Sequence, residues 1–267
     1  EQIFLSARQH IQRDWLQKTQ RAIKVREPSI RKDLIDKHID LFTDFWETSL
    51  ELGRIPANSE FEFSEQIRRV SGSHNKAHQA LQKNFGEALF EEAINARKED
   101  LLVYFALGLF EKRKPQTQMP DSLKRDIKAF FSSYNEAIEQ AKELLFSVGS
   151  NETIYAACHA AYEKLKCGHM DENHSYTFHK RHLGELPPEL RVYIGCATQM
   201  YGDIEDMQLI KAHMRSGKVS LMRYDDWNKD TPLLEERIKI KLREQDIDFF
   251  DYVGEYKPMP LPNKELY

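Results

Sequence analysis

Residues 211–226 hold the densest set of side chains able to do chemistry in this chain. Lys211, His213, Arg215, Lys218 and Arg223 follow one another with no acid among them, and Asp225 and Asp226 come next. Ser216-Gly217 sits between the cations, where a missing Cβ lets backbone N–H groups come close to an anion. Cationic side chains and peptide N–H groups are what hold a nucleic-acid backbone. The pattern therefore predicts a phosphate-contact corner built from His213, Arg215, Ser216, Gly217, Lys218 and Arg223. Leu209, Ile210 and His213 read as a helix, and residues 219–224 alternate as a strand, so the corner is expected to join a helix to a strand. Positions two apart on a helix differ by about 200° around its axis, so His213 is expected to face the corner and Lys211 to turn away. A rival chemistry takes His213, Asp225 and Asp226 as a metal-dependent nuclease site. That requires the strand to end at the acids, because neighbours within a strand point to opposite faces. A purely structural use is also open: Arg215 and Lys218 could pair with Asp225 and Asp226 across the turn.

A second cationic surface is predicted earlier in the chain. Residues 63–70 read as a short helix, Ser71-Gly72-Ser73 as a tight turn and residues 74–84 as another helix, a helix-turn-helix in outline. Arg68, Arg69, Ser73, His74 and Lys76 would crowd the turn and the exposed face of the second helix. These are residue types that hold phosphates and read base edges. Together with Gly53-Arg54-Ile55-Pro56 ahead of it, the pair resembles the small repeat found beside homing endonucleases; an ordinary helical hairpin is the alternative.

Other chemistries leave little trace. Cys167, His169, Asp171, Glu172, His174, His179 and His182 share one window, but neither a Cys-x-x-Cys pair nor a His-Glu-x-x-His helix occurs, so no metal is expected there. No phosphate-binding Gly-rich loop followed by Lys and no Gly-x-Ser-x-Gly elbow is present, and no cofactor is expected.

The elements that would position these residues are mostly helical. Helices are expected over 33–52, 63–70, 74–84, 85–114, 121–146, 151–165 and 188–201, with a further basic helix over 233–245. Short strands are expected over 176–179, 219–224 and 247–252. The expected fold class is mainly α, with a small α+β C-terminal part containing about three short strands. Three regions follow: a basic connector over 1–32 leading from an upstream domain, a helical sub-domain over 33–114, and a helical then α+β sub-domain over 121–267, with the polar stretch 115–120 as the join. The chain has 267 residues, 31% of them charged, and a formal net charge of −4, so nucleic-acid binding has to use local patches rather than a global basic excess. No apolar run approaches the roughly 18 residues of a membrane span. Three scattered cysteines argue against a disulfide framework and for a reducing compartment, the cytoplasm. The first residues lack both an initiator Met and a signal-peptide core, and the chain is expected to be cut from something longer.

Several runs, in order along the chain, resemble one family. They are Glu99-Asp100-Leu101-Leu102-Val103-Tyr104-x-Ala106-Leu107; Ala129-Phe130-Phe131-x-Ser133-Tyr134 with Leu144-Leu145-Phe146-Ser147-x-Gly149; Leu190-Arg191-Val192-Tyr193-x-Gly195-Cys196-Ala197; and Lys211-x-His213-x-Arg215-x-x-Lys218-Val219-Ser220 with Tyr224-x-Asp226. They resemble the C-terminal region of the proteins described as DNA phosphorothioation-associated methyltransferases. The resemblance implies that the methyl-donor site lies in an upstream domain, that Phe4-Leu5-Ser6 matches the very end of that domain, and that no methyltransferase residue stands in this chain. It also implies a bacterial setting of DNA modification and anti-phage defence. The expected function is a non-catalytic module that engages DNA, with or without backbone sulfur, or docks on other modification or restriction proteins. The alternatives are the nuclease and a pure protein-interaction scaffold.

Overall fold

The computed structural model describes residues 32–109, 118–253 and 257–267. The expected connector over 1–32 lies outside these residues except for Lys32, as does most of the join over 115–120. The chain divides into two compact units, Glu1–Ala93 and Ile94–Tyr267. Among the described residues no helix is long and apolar enough to cross a membrane.

The first unit is helical. Helix α1 (Lys32–Lys37) breaks at His38, and α2 (Ile39–Leu52) stops at Gly53, whose left-handed φ of 60° returns its N–H to the Leu50 carbonyl. Phe42, Phe45 and Trp46 bury the inner face of α2. The loop that follows is locked by Arg54, which donates two hydrogen bonds to Glu60 at 2.7 and 2.8 Å. Helices α3 (Ser64–Ser71) and α4 (His74–Phe85) form the expected pair, joined at Gly72 (φ 88°) and capped by Ser73, which accepts from the Lys76 N–H. Helix α5 (Glu87–Leu107) then runs across the boundary between the units.

In the second unit, α6 (Asp121–Phe130) and α7 (Tyr134–Ser147) replace the single helix expected over 121–146. The break is held by an N-cap at Ser133 and by the Glu136 carboxylate, which reaches one residue beyond it. Ser133 accepts from the Glu136 N–H, and the Glu136 carboxylate reaches back to the N–H of Ser132. Helix α8 (Asn151–Leu165) and helix α9 (Pro188–Tyr201) match the sequence reading. Between them lie β1 (His169–Asp171), β2 (Ser175–His179) and a 3-10 turn, Lys180–Glu185. After α9 come β3 (Leu209–His213), β4 (Lys218–Tyr224), β5 (Leu233–Lys241), β6 (Asp246–Asp251) and the short β7 (Met259–Pro260).

The strands overturn the expected fold class. Among the described residues helix outweighs strand, but the strands make one curled antiparallel sheet of seven rather than about three short pieces. Its order is β1-β2-β3-β4-β5-β6, with β7 paired to β5. Two segments read as helices are strands. Residues 209–213 form β3, and 233–241 form β5, where Arg-Ile-Lys-Ile-Lys alternates strictly and Ile238 and Ile240 are fully buried. One face of the sheet, with Tyr176, Phe178, Ile210, Val219, Leu221, Ile238 and Ile240, packs on Ile154, Cys158 and Ala161 of α8 and on Leu190, Tyr193 and Ile194 of α9. The other face carries Lys211, His213, Ser220, Arg237 and Lys239, with a smaller apolar cluster of Leu209, Met222, Tyr224 and Leu234 beside them.

Candidate anion-binding site

Strand register decides which polar side chains share that second face. Thr177 pairs with Lys211, Lys211 with Ser220, and Ser220 with Lys239. One pair further along, Met222 stands beside Arg237 and Arg237 beside Phe250; in the other direction, Ser175 stands beside His213. Side chains two apart on a strand project to the same side. Lys211 and His213 therefore face one way, contrary to the helical expectation that separates them, and Arg237 and Lys239 join them from β5.

These groups line a cavity of about 430 Å³ with His174, Ser220, Met222 and the C-terminal tail. The tail makes one wall: Met259 and Pro260 pair with β5, and Leu261 packs on Leu209, Met222, Tyr224 and Leu234. Ser220 is buried at the floor, and Ser175 and Thr177 are buried on the same face of the sheet beside it. His213 Nε2 lies 3.2 Å from Ser220 Oγ, and its ring meets that of His174 edge-on at 5.5 Å. The Tyr193 hydroxyl, from α9, donates to the carbonyls of His213 and Lys218, which fixes the ends of β3 and β4.

The face is cationic and poorly neutralised. Among the described residues, Lys211, Arg237 and Lys239 have no carboxylate within ion-pair distance. Asp248 is the cross-strand neighbour of Lys239, but it is held by Lys241 at 2.7 Å. Arg237 lies on the Phe250 ring at 4.7 Å, and its Nε is buried without a hydrogen-bond acceptor. Burial lowers the Lys211 pKa; nearby Asp171 opposes the shift, and Arg237 and Lys239 add to it. Burial, with Lys211 and His174 adding, pushes His213 down to about 4, so its imidazole is neutral at pH 7. Three cations without a carboxylate partner, two of them over the Phe250 ring, a buried hydroxyl and an orphaned guanidinium N–H are groups that an anion could satisfy, and a phosphodiester carries the matching charge and acceptor oxygens.

The structure disperses the other residues of the expected corner. Arg215 and Ser216 are exposed at the tip of the β3–β4 hairpin, where Gly217 takes a left-handed φ of 63°. Lys218 begins β4 on the same side as Lys211. Arg223 faces away from it by strand alternation, and its cross-strand partner Glu236 and the neighbouring Glu235, at the bulge that follows, come within 3.2 and 2.6 Å of its guanidinium. Asp225 bonds Lys229 at 2.7 Å and accepts from the Leu233 N–H, while Asp226 accepts from the Asn228 N–H. His213 belongs to the sheet face, so these acids and His213 do not form the cluster that the nuclease reading needs. Arg215 and Lys218 do not pair with either acid.

In the first unit, Arg68, Arg69 and Lys76 are exposed, and Arg69 lies 3.7 Å from Glu65. Ser73 is spent on its cap, and His74 is buried between the Ser64 hydroxyl at 3.0 Å and the Pro56 carbonyl at 2.8 Å. Neither is free to meet a phosphate. Around the Cys167–His182 window, His169 and Asp171 lie on β1, His179 ends β2, and His182 pairs with Glu185. Among the described residues no group of three His, Cys, Asp or Glu side chains converges on a point.

Arg237 and Lys239 are the site residues that the corner prediction left out. Their signal was the period-2 alternation of residues 237–241, which a helix cannot use. No family model, no curated protein and no solved structure matches this chain.

Proposed function

We propose that this chain is a non-catalytic DNA-engaging module whose second unit holds backbone phosphates on the open face of its sheet. Lys211, Arg237 and Lys239 make the contacts, and Ser220 with His213 lines the floor beneath them. The observation that carries this reading is that the three cations share one partly buried face without a carboxylate partner among the described residues. A fold that concentrates like charge in this way meets a repulsion cost that an anionic ligand relieves. The resemblance to the phosphorothioation-associated family supports a bacterial, cytoplasmic setting in DNA modification and anti-phage defence. Other modification or restriction proteins are then further partners, and DNA with or without backbone sulfur is the ligand. This reading needs no cofactor.

The test is fluorescence anisotropy with one duplex sequence, sulfur-modified and unmodified, across a salt series. Lys211→Ala, Arg237→Ala and Lys239→Ala should each reduce the slope of log K against log salt by about 0.9. Arg215→Ala at the hairpin tip and Arg68→Ala in the first unit should leave it nearly unchanged. Unaltered slopes in all three sheet variants would refute the assignment, and the absence of binding at any salt would favour a protein-docking scaffold. Metal-dependent cutting abolished by Asp226→Ala would restore the nuclease.

A further inference from the structure

A larger cavity, of about 860 Å³, opens on the opposite side of the sheet from the cationic face. The ends of α7 and α8, one side of α9, and the β3–β4 and β5–β6 turns enclose it. Leu145, Val148, Ile154, Met200, Met214 and Leu242 make its walls. That volume and that lining are those of a small-molecule site.

Two observations give its ligand a chemical class. The first is Arg243, at the mouth. Its guanidinium donates to the Asn151 side-chain oxygen at 2.6 Å and, more weakly, to the Arg215 carbonyl at 3.5 Å, and no carboxylate pairs with it among the described residues. Both partners are neutral, so they orient the cation without discharging it. Gly217 makes this pose possible, because a Cβ there would come within 2.9 Å of the Arg243 Cγ and Nε. Arg215, the other cation nearby, is directed to Asn173 at 3.4 Å. The second observation is Phe146, which lines the same cavity yet is 78% exposed. An aromatic ring that open to water beside an apolar hollow is a wall short of something to cover it.

We propose that this cavity binds an amphipathic carboxylate, its apolar body against the Leu, Ile and Met walls and Phe146, its headgroup on Arg243. A single guanidinium matches a singly charged head, and a phosphate dianion would call for a second cation. The site is separate from the sheet face that the DNA reading uses, and neither depends on the other.

Calorimetric titration of the full chain with submicellar dodecanoate, and with dodecanol as the uncharged control, tests it. Dodecanoate should bind one to one, about fivefold tighter than dodecanol, since an exposed cation contributes only modestly. Arg243→Met should bring dodecanoate to the level of dodecanol and leave dodecanol unchanged. Met200→Trp, which fills the hollow, should remove both. If that variant loses cooperative unfolding, the Arg243→Met arm decides alone. Equal affinity of the unaltered chain for acid and alcohol, no saturable binding of either, full dodecanoate affinity in Arg243→Met, or retained binding in a folded Met200→Trp would each overturn the proposal.

Discussion

Replacing Lys211 by Met should make the second unit more stable, although it removes a side chain from a well-packed sheet. The magnitude follows from the register. Lys211 and Lys239 flank Ser220 on adjacent strands, which places them two strand spacings apart, ~9.6 Å. At that separation two unit charges repel by ~1.7 kcal/mol at the effective dielectric of a protein surface and by ~0.4 kcal/mol in water. Arg237 lies two strands over and two residues along on one side of Lys211, and Asp171 holds the mirror position on the other. Their contributions are of opposite sign and roughly cancel. The Lys239 repulsion is left, and its relief should stabilise Lys211→Met by about 1 kcal/mol at low salt. Met preserves the aliphatic stem, so the packing of the residue is largely kept. Urea unfolding at ~0.01 M salt, where the Debye length is ~30 Å, and at 1 M, where it is ~3 Å, is the assay. The gain should be present in the first condition and gone in the second. Lys241→Met is the control of opposite sign, since Lys241 is bridged to Asp246 and Asp248. If Lys211→Met is destabilising at low salt, or its effect does not change with salt, the face is not under electrostatic strain and the case for an anion site loses its physical basis.

Two further outcomes concern the frame around the sites. Gly168→Ala should destabilise the second unit by more than about 2 kcal/mol in thermal or urea unfolding, because Gly168 has a φ of 85° and a Cβ would meet the Thr177 carbonyl oxygen at 2.5 Å and the Tyr176 ring at 2.8 Å; a neutral result would mean that β1 and β2 do not sit as described. His78 is buried beside Trp46 and Phe90, its Nε2 lacks a partner, and burial lowers its pKa to about 4. The unfolded chain takes up this proton first as pH falls, so the first unit should hold its full stability above about pH 6.5, lose up to about 3 kcal/mol on the way to pH 4, and change no further on this account below that. His78→Leu should flatten that limb, and an acid limb of unchanged slope would show that His78 does not titrate in this way.

Helices were legible where one strong stripe coincided with punctuation. The helix expected over 33–52 ends at Gly53 as read, although His38 breaks it into α1 and α2, and the run over 188–201 opens on Pro188 and closes at Gly202, so there period and boundary agree. The interruption at Phe131-Ser132-Ser133 is hidden in the sequence because the apolar stripe continues across it. Ser133 and Glu136 at capping-box spacing were its only mark. Strands β3 and β5 are hidden for a different reason. Glu, Lys, Arg and Leu are good helix formers, and Leu-Leu-Glu-Glu-Arg-Ile-Lys-Ile-Lys satisfies helical propensity over its whole length. Tertiary pairing overrides that preference, because Ile238 and Ile240 can be buried together only if they lie on one side.

The same choice of period governs the candidate site. Read as helices, residues 209–213 and 233–241 scatter their charges: Lys211 turns away from His213, and Arg237, Lys239 and Lys241 spread around an axis. Read as strands, each set falls on a line, and pairing through β4 lays the two lines side by side. Of the three cations only Lys211 belongs to the stretch that the sequence singles out, and the surface they form is the face of a sheet and not a turn. Arg215 and Arg223 show the cost of the wrong period. Both lie close to Lys218 in sequence, yet one is at a hairpin tip and the other is spent on Glu235 and Glu236. Arg237 and Lys239 are remote in sequence, and they reach the site only because antiparallel register carries them there. A charge cluster of this kind is a property of strand pairing, and a chain read one segment at a time does not contain it.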